Sequence, residues 1–331
     1  MQPIGLSDVG FFGFSVTEQG IGYIRSLREI IKREAPGELI SSFAMGAASG
    51  KIIPYIFNRI AANNVKVLLF EIATCIRFSD ENPNGYSEIL REIGALCQME
   101  GFIPGFINLY RKGIDYDNDI WGDAIKEFSE KNSLPFLDLV PLMRDIELNG
   151  ELEKYLRDGT HTTQLGADLY AERIFHFIKT LAPTNAEKGI LNRSRLFGEF
   201  KKKQIFLGHC AENFEGFSRG GLSFNTLGIN AGENVTIQLP HDFRLDGIMF
   251  LMGPRTGNLH VSINGQFFRK IMAYDHACYY DRISYKFFSS EGATSIDVFQ
   301  CYELPIVALK KGEPDCSPRY GRFVGALLTE I

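Results

Sequence analysis

Val9-Gly10-Phe11-Phe12-Gly13-Phe14 is a six-residue apolar run, and from Gly22 to Glu34 the chain turns amphipathic. A short apolar run followed by a stretch of helical length is one βα unit. The unit recurs. Further strands are predicted at Leu39 to Ala44, Val65 to Ile72, Phe102 to Asn108 and Pro135 to Leu139, each richer in aromatic or branched residues than its flanks. Helices are predicted at Lys51 to Ala62, Tyr86 to Glu100, Asp117 to Lys131 and Gln164 to Leu181, and Gly37 and Gly101 stand just past two helices, where a left-handed residue closes the last turn. Repeated βα units specify a five-stranded parallel sheet covered by helices on both faces, a three-layer α/β/α sandwich.

Beyond about residue 182 the pattern changes. Pro183, Asn185 and the Lys201-Lys202-Lys203 run separate the last helix from short alternating strands, predicted at 204–208, 234–239, 247–252, 259–263, 266–270, 282–288, 295–302 and 323–330. Asn264-Gly265, flanked by two such strands, is the strongest short hairpin signal, since both turn positions need positive φ. The expected organisation is an α/β domain over 1–185, a linker over 186–202, and a jelly-roll-like all-β sandwich over 203–331.

Composition narrows the function. The 331 residues are 45% hydrophobic and 23% charged, and 35 basic against 40 acidic residues leave a net charge of −5. That sign is wrong for binding nucleic acid by neutralising phosphates, so nucleic acid is not expected as a partner. No apolar stretch approaches a membrane span, and Met1-Gln2-Pro3-Ile4-Gly5-Leu6-Ser7-Asp8 lacks the basic and apolar regions of a signal peptide, so a cytoplasmic location without membrane insertion is expected. Six cysteines lie far apart without a CxxC pair, and the sequons at Asn192 and Asn234 would matter only in a secretory compartment.

Several motifs fall short of their chemistry. Gly46-Ala47-Ala48-Ser49-Gly50-Lys51 is one residue too short between its glycines for a phosphate loop, and Ile52 stands where Ser or Thr should hold magnesium. Gly20-Ile21-Gly22 has Arg25 in place of the third glycine of a dinucleotide fingerprint. His209-Cys210 and His276-x-Cys278 are read as packed residues rather than metal ligands. Neither a cofactor nor a metal is expected.

Two segments carry chemistry when taken together. Gly13-Phe14-Ser15-Val16-Thr17 places a serine where the first strand meets its helix, at the carboxyl edge that open α/β sheets use for their sites. Alone, such a serine is an ordinary helix cap. Asp158-Gly159-Thr160-His161 precedes the last helix, and an Asp three residues before a His can hold the imidazole in the tautomer that accepts a proton from a serine. Alone, that segment is a turn followed by a Thr cap. In combination they give a triad in the order Ser, Asp, His.

At these residues the chain resembles the GDSL/SGNH hydrolases, esterases and lipases on a flavodoxin-like α/β/α sandwich. The resemblance covers about residues 7–181. It rests on Gly13-Phe14-Ser15-Val16-Thr17 with Gly20, on Asp158-Gly159-Thr160-His161 with Gly166, and on the approach Leu134 to Leu142, which looks like the family's final strand and following loop. It implies Ser15 as nucleophile, His161 as general base and Asp158 as its orienting partner, with an oxyanion hole built from Ser15, Gly46 and a third donor. The family places an Asn after its third strand; here Ala73-Thr74-Cys75 leaves Thr74 or Cys75 near that place, with Asn82, Asn84 and Asn108 on nearby loops. Phe14 stands where the family has Asp. The implied activity is cleavage of a carboxylic ester, on a small molecule or an O-acetylated sugar or polysaccharide. An O-acyltransferase with the same triad, and a binding module with weakened chemistry, are the alternatives. Tyr279, Tyr280 and Tyr285 are candidates for stacking on sugar rings.

Overall fold

The computed structural model describes residues 4–61, 65–76, 83–181, 200–208, 214–275, 280–301 and 319–331. They form two compact units, Met1–Phe200 with Gly220–Leu222, and Lys201–Arg219 with Ser223–Ile331. The segment 182–199, which holds most of the expected linker and the Asn192 sequon, lies outside the described residues, as do His209, Cys210, His276, Cys278, Tyr279 and Asn82.

In the first unit five parallel strands, β1 (Val9–Gly13), β2 (Ser41–Ala44), β3 (Val67–Glu71), β4 (Ile103–Asn108) and β5 (Phe136–Asp138), lie in the order β2-β1-β3-β4-β5. β1, β3 and β4 are buried along their whole length, as strands covered on both faces must be. The alternation of side chains divides β1 between two cores. Phe11 joins Tyr23, Leu27 and Ile31 of α2 (Tyr23–Glu34) and Tyr170, Ile174 and Ile178 of α9 (Gln164–Lys179). Phe12 points the other way and sits in register with Phe70, which is in register with Phe106. The Phe12–Phe70 and Phe70–Phe106 ring centroids are 5.9 and 5.8 Å apart, an aromatic ladder across the three central strands. Phe14 adds a fourth ring, 5.6 Å from Phe12 and fully buried.

The remaining helices are α1 (Ser15–Glu18), α3 (Ile53–Ala61), α4 (Ala73–Ile76), α5 (Pro83–Met99), α6 (Ile120–Lys131), α7 (Val140–Leu148) and α8 (Leu152–Tyr155). The sequence reading had Leu134 to Leu142 as a strand running into a loop, whereas α7 starts at Val140. Pro141 lies in the first turn of this helix, where its missing N–H has no intrahelical partner to lose and its fixed φ suits the helix start.

The second unit consists of β6 (Lys203–Phe206), β7 (Phe214–Arg219), β8 (Leu222–Ile229), β9 (Asn234–Gln238), β10 (Phe243–Met252), β11 (Leu259–Ile263), β12 (Gln266–Ile271), β13 (Arg282–Ser290), β14 (Ser295–Gln300) and β15 (Gly321–Glu330). One sheet runs β13-β10-β15-β8-β7 with β6 on β15, the other β12-β11-β14-β9. Their buried faces share one hydrophobic core, with Ile248, Phe250 and Leu328 from the first sheet and Leu259, Val261 and Val298 from the second. Asn264 and Gly265 have φ of 52° and 74° between the antiparallel β11 and β12, the backbone their identities call for. The β7–β8 hairpin escaped the sequence reading. Its Gly220-Gly221 turn is also a positive-φ pair, but β7 is mostly exposed and offers little apolar pattern. Among the described residues no helix is long and apolar enough to cross a membrane.

Candidate active site

Ser15 is the first residue of α1, directly beyond the carboxyl end of β1, and is partly exposed. The turn that presents it is tight. A Cβ on Gly13 would stand 1.9 Å from Thr17 Oγ1, so only glycine lets the hydroxyl of Thr17 fold back over the strand end.

The Asp158 loop joins α8 to α9. An antiparallel bridge between Leu156 and Thr162 closes it, with Arg157 N donating to His161 O at 2.9 Å and Thr163 N to Tyr155 O at 2.8 Å. Thr163 caps α9 by accepting from Gly166 N at 3.3 Å. Gly166 is dictated by the same closure, since a Cβ there would lie 2.1 Å from Tyr155 O. Lys112 N, in the loop after β4, donates to Gly159 O at 2.7 Å and braces the turn from the side.

Within this loop Asp158 Oδ1 accepts from His161 N at 2.8 Å and Thr160 N at 3.2 Å, and the carboxylate meets His161 Nδ1 at 2.9 and 3.0 Å. With the Nδ1 proton donated to Asp158, Nε2 carries the free lone pair. Burial raises the Asp158 carboxyl, but the backbone N–H and imidazole of His161 outweigh it, and the carboxyl sits below its ordinary value. A carboxyl lowered on folding stabilises the fold fully above its unfolded value, and the contribution fades as pH falls through the lower folded value. An NMR titration of the Asp158 side chain should therefore show a midpoint below about 3.9, the ordinary value for Asp; a midpoint at or above it would contradict the lock.

Gln19, the residue closing α1, bridges the two segments. Its Nε2 donates to Thr162 O at 2.7 Å and its Oε1 accepts from Thr162 N at 3.2 Å, so one amide side chain pairs with both polar backbone groups of the residue after His161. A second brace ties α2 to α9, where Ser26 Oγ donates to Asp168 Oδ1 at 2.7 Å and Gln164 Nε2 donates to both. The segments bearing Ser15 and His161 thus meet at one rim of the sheet. Among the described residues no hydrogen bond joins Ser15 directly to His161.

The expected oxyanion donors are placed as follows. Gly46 lies against the start of α1, where an added Cβ would be 3.9 Å from Ser15 Cα, but its N–H donates to Glu18 Oε2 at 3.0 Å. Thr74 is buried, and its hydroxyl donates to Glu71 Oε1 at 2.7 Å. Cys75 directs its thiol at Ala48 O. Asn108 donates to Asp138 Oδ1 at 3.0 Å from β4 to β5. Asn82 and the Asn84 side chain lie outside the described residues.

Sequence reasoning missed the carboxylate beneath this rim. Glu71, at the end of β3, is fully buried and accepts from Thr74 Oγ1 at 2.7 Å, Thr74 N at 3.3 Å and Thr17 Oγ1 at 3.4 Å. With the Thr17 proton committed to Glu71, Tyr23 donates its own to Thr17 Oγ1 at 2.9 Å. Burial first and the Glu71 charge second push the Tyr23 hydroxyl far above its ordinary range. The network ties β3 to α1, which begins at Ser15, and to α2. Its signal was available: a glutamate closing an otherwise apolar strand is a buried charge that needs partners.

No protein-family model and no curated protein matches the sequence. The structure is similar to the crystal structure of a two-domain esterase (CEX) active on acetylated mannans, with 10% identity over 97% of this chain and 91% of that one, at a TM-score of 0.63. It is similar to the same esterase co-crystallised with mannopentaose, with 11% identity over 97% of this chain and 90% of that one, again at 0.63. The chain therefore has the fold of a two-domain esterase, a parallel α/β unit, as the resemblance over residues 7–181 implied, followed by antiparallel β sheets, as the alternating strands beyond residue 203 implied.

Proposed function

We propose that the chain is a carboxylic ester hydrolase that removes acetyl groups from a carbohydrate, with Ser15 as nucleophile, His161 as base and Asp158 as its partner. The observation that supports the proposal is the Gln19 amide, which fastens the loop in which Asp158 meets His161 Nδ1 to the segment that presents Ser15.

In this mechanism Ser15 Oγ attacks the acetyl carbonyl while His161 Nε2 takes its proton. The amides of Ser15 and Gly46 receive the oxyanion, which takes the place of the Glu18 carboxylate on Gly46 N–H. The sugar oxygen leaves with the proton from His161. Water then attacks the acetyl-serine, gives its proton to His161, and acetate departs as Ser15 is restored. The Thr74 hydroxyl, committed to Glu71, is proposed to fix the rim behind this site rather than to stabilise the oxyanion. Among structures of the same two-domain fold, an esterase active on acetylated mannans supports the acetylated carbohydrate as substrate class.

A panel of p-nitrophenyl acetate, butyrate and octanoate beside acetylated mannan and acetylated xylan tests the reading. Acetate release from an acetylated glycan and a preference for the shortest aryl ester are expected. Turnover confined to octanoate would overturn the substrate class.

Gln19→Met removes both hydrogen bonds to Thr162 and preserves the side chain's length. It should lower kcat by about 10- to 100-fold with KM little changed, since displacing a base by about 1 Å costs that much without altering substrate contacts. A rise in KM at constant kcat would assign Gln19 to substrate binding instead.

A further inference from the structure

The second unit has a cleft of its own, of about 750 Å³, a volume within the range of small-molecule sites. Gly228 of β8 forms part of its floor, paired across the sheet with Arg322 of β15. Phe214 and Glu215 open β7 on one side, Asn230 follows β8, Arg255, Asp281 and Tyr320 stand just outside β11, β13 and β15, and Arg322 lines the cleft from β15 itself.

The charges of this lining cancel in pairs. Arg255 directs Nε and Nη2 at Asp281 Oδ2, each at 3.0 Å, and Arg322 pairs with Glu215. An anionic ligand would have to compete with a carboxylate already in place at each guanidinium, and a cationic one with a guanidinium at each carboxylate. Hydrogen-bonding capacity without net charge remains, because each guanidinium has five N–H groups and spends only some of them on its carboxylate. Beside these donors stand two aromatic rings, Phe214 and Tyr320, exposed by 40% and 47%. Tyr320 is held in place by backbone bonds, its N donating to Arg255 O at 3.3 Å and its O accepting from Gly257 N at 3.0 Å.

Open aromatic faces beside planar donors, with no net charge, suit a ligand that is flat and apolar on its ring faces and hydroxylated around its edge. We propose that this cleft binds an uncharged oligosaccharide, stacking pyranose faces on Phe214 and Tyr320 and directing hydroxyls to Arg255 and Arg322. The binding site is separate from the ester-cleaving reading and does not depend on it. Tyr280 and Tyr285, the rings expected to stack on sugars, do not line the cleft: Arg219 lies 3.7 Å from the Tyr280 ring centre, and Tyr285 packs on Phe287 at 5.1 Å.

The test is calorimetric titration of the full chain with mannopentaose, cellopentaose and xylopentaose, with pentagalacturonate as the acidic counterpart. Nothing lies within 4 Å of where a Cβ would stand at Gly228, a residue that lines the cleft, so Gly228→Phe is the variant chosen to fill it, with the melting temperature as the check on the fold. Tyr320→Ala removes one stacking face. Saturable binding of at least one neutral pentasaccharide is expected, weakened about tenfold or more in both variants at unchanged melting temperature. No saturable binding of any neutral sugar, tighter binding of pentagalacturonate, or binding that survives both substitutions would overturn the proposal.

Discussion

Ser15→Ala is expected to lower kcat for acetyl ester hydrolysis by at least about 10⁴-fold while leaving the melting temperature unchanged, because removing one member of a triad disables the unit rather than a fraction of it. His161→Ala should cost a similar factor, and the double variant no more than either alone. The physical basis is the proton path. Without the Oγ there is no nucleophile, and without Nε2 the hydroxyl keeps its proton, so each deletion already removes what the other would. The partial exposure of Ser15 at the end of β1 makes the first substitution structurally mild. Additive losses in the double variant, measured as initial rates on p-nitrophenyl acetate, would show that the two residues act independently.

Phe70→Ala is expected to destabilise the first unit by about 3–5 kcal/mol, the range for emptying a fully buried aromatic site. Phe70 is wholly inaccessible and holds the centre of the ladder, with Phe12 on one side and Phe106 on the other, so neither neighbour can fill the space without leaving its own strand. A unit of this size should lose about 10 °C in melting temperature. Phe267→Ala is the contrast: Phe267 is 65% exposed on β12 and should cost about 0.5 kcal/mol or less. Thermal unfolding followed by circular dichroism separates them, and equal shifts would deny the ladder its role.

The parallel sheet was legible because its three central strands, β1, β3 and β4, are buried on both faces and read as continuous apolar runs against amphipathic helices. Val9 to Phe14 and Val65 to Ile72 needed no other evidence. Asn264-Gly265 was legible for a different reason, in that few pairs tolerate two consecutive positive φ angles. What escaped were elements whose apolar pattern is thin. The exposed β7 is the clearest case.

For the candidate site, Asp158 and His161 could be paired from their spacing because three residues of tight turn fix the contact locally. The Gln19 clamp spans 143 residues of chain, and no local pattern announces which glutamine will find which backbone. Glu71 likewise meets Thr17 only through the order of the strands, which places β3 beside β1. The oxyanion donors were the least legible. Gly46 and Thr74 could be ranked by residue type and position, but whether a donor is uncommitted depends on carboxylates, Glu18 and Glu71, that approach from other elements.

The most direct measurement is the position at which a fluorophosphonate probe attaches, read by peptide mass spectrometry on the full chain. A single adduct on Ser15, lost in His161→Ala and slowed in Gln19→Met, is the predicted result. A folded chain that stays unmodified, or one labelled elsewhere while Ser15 remains unreacted, would contradict the claim that this rim carries a serine nucleophile activated by His161.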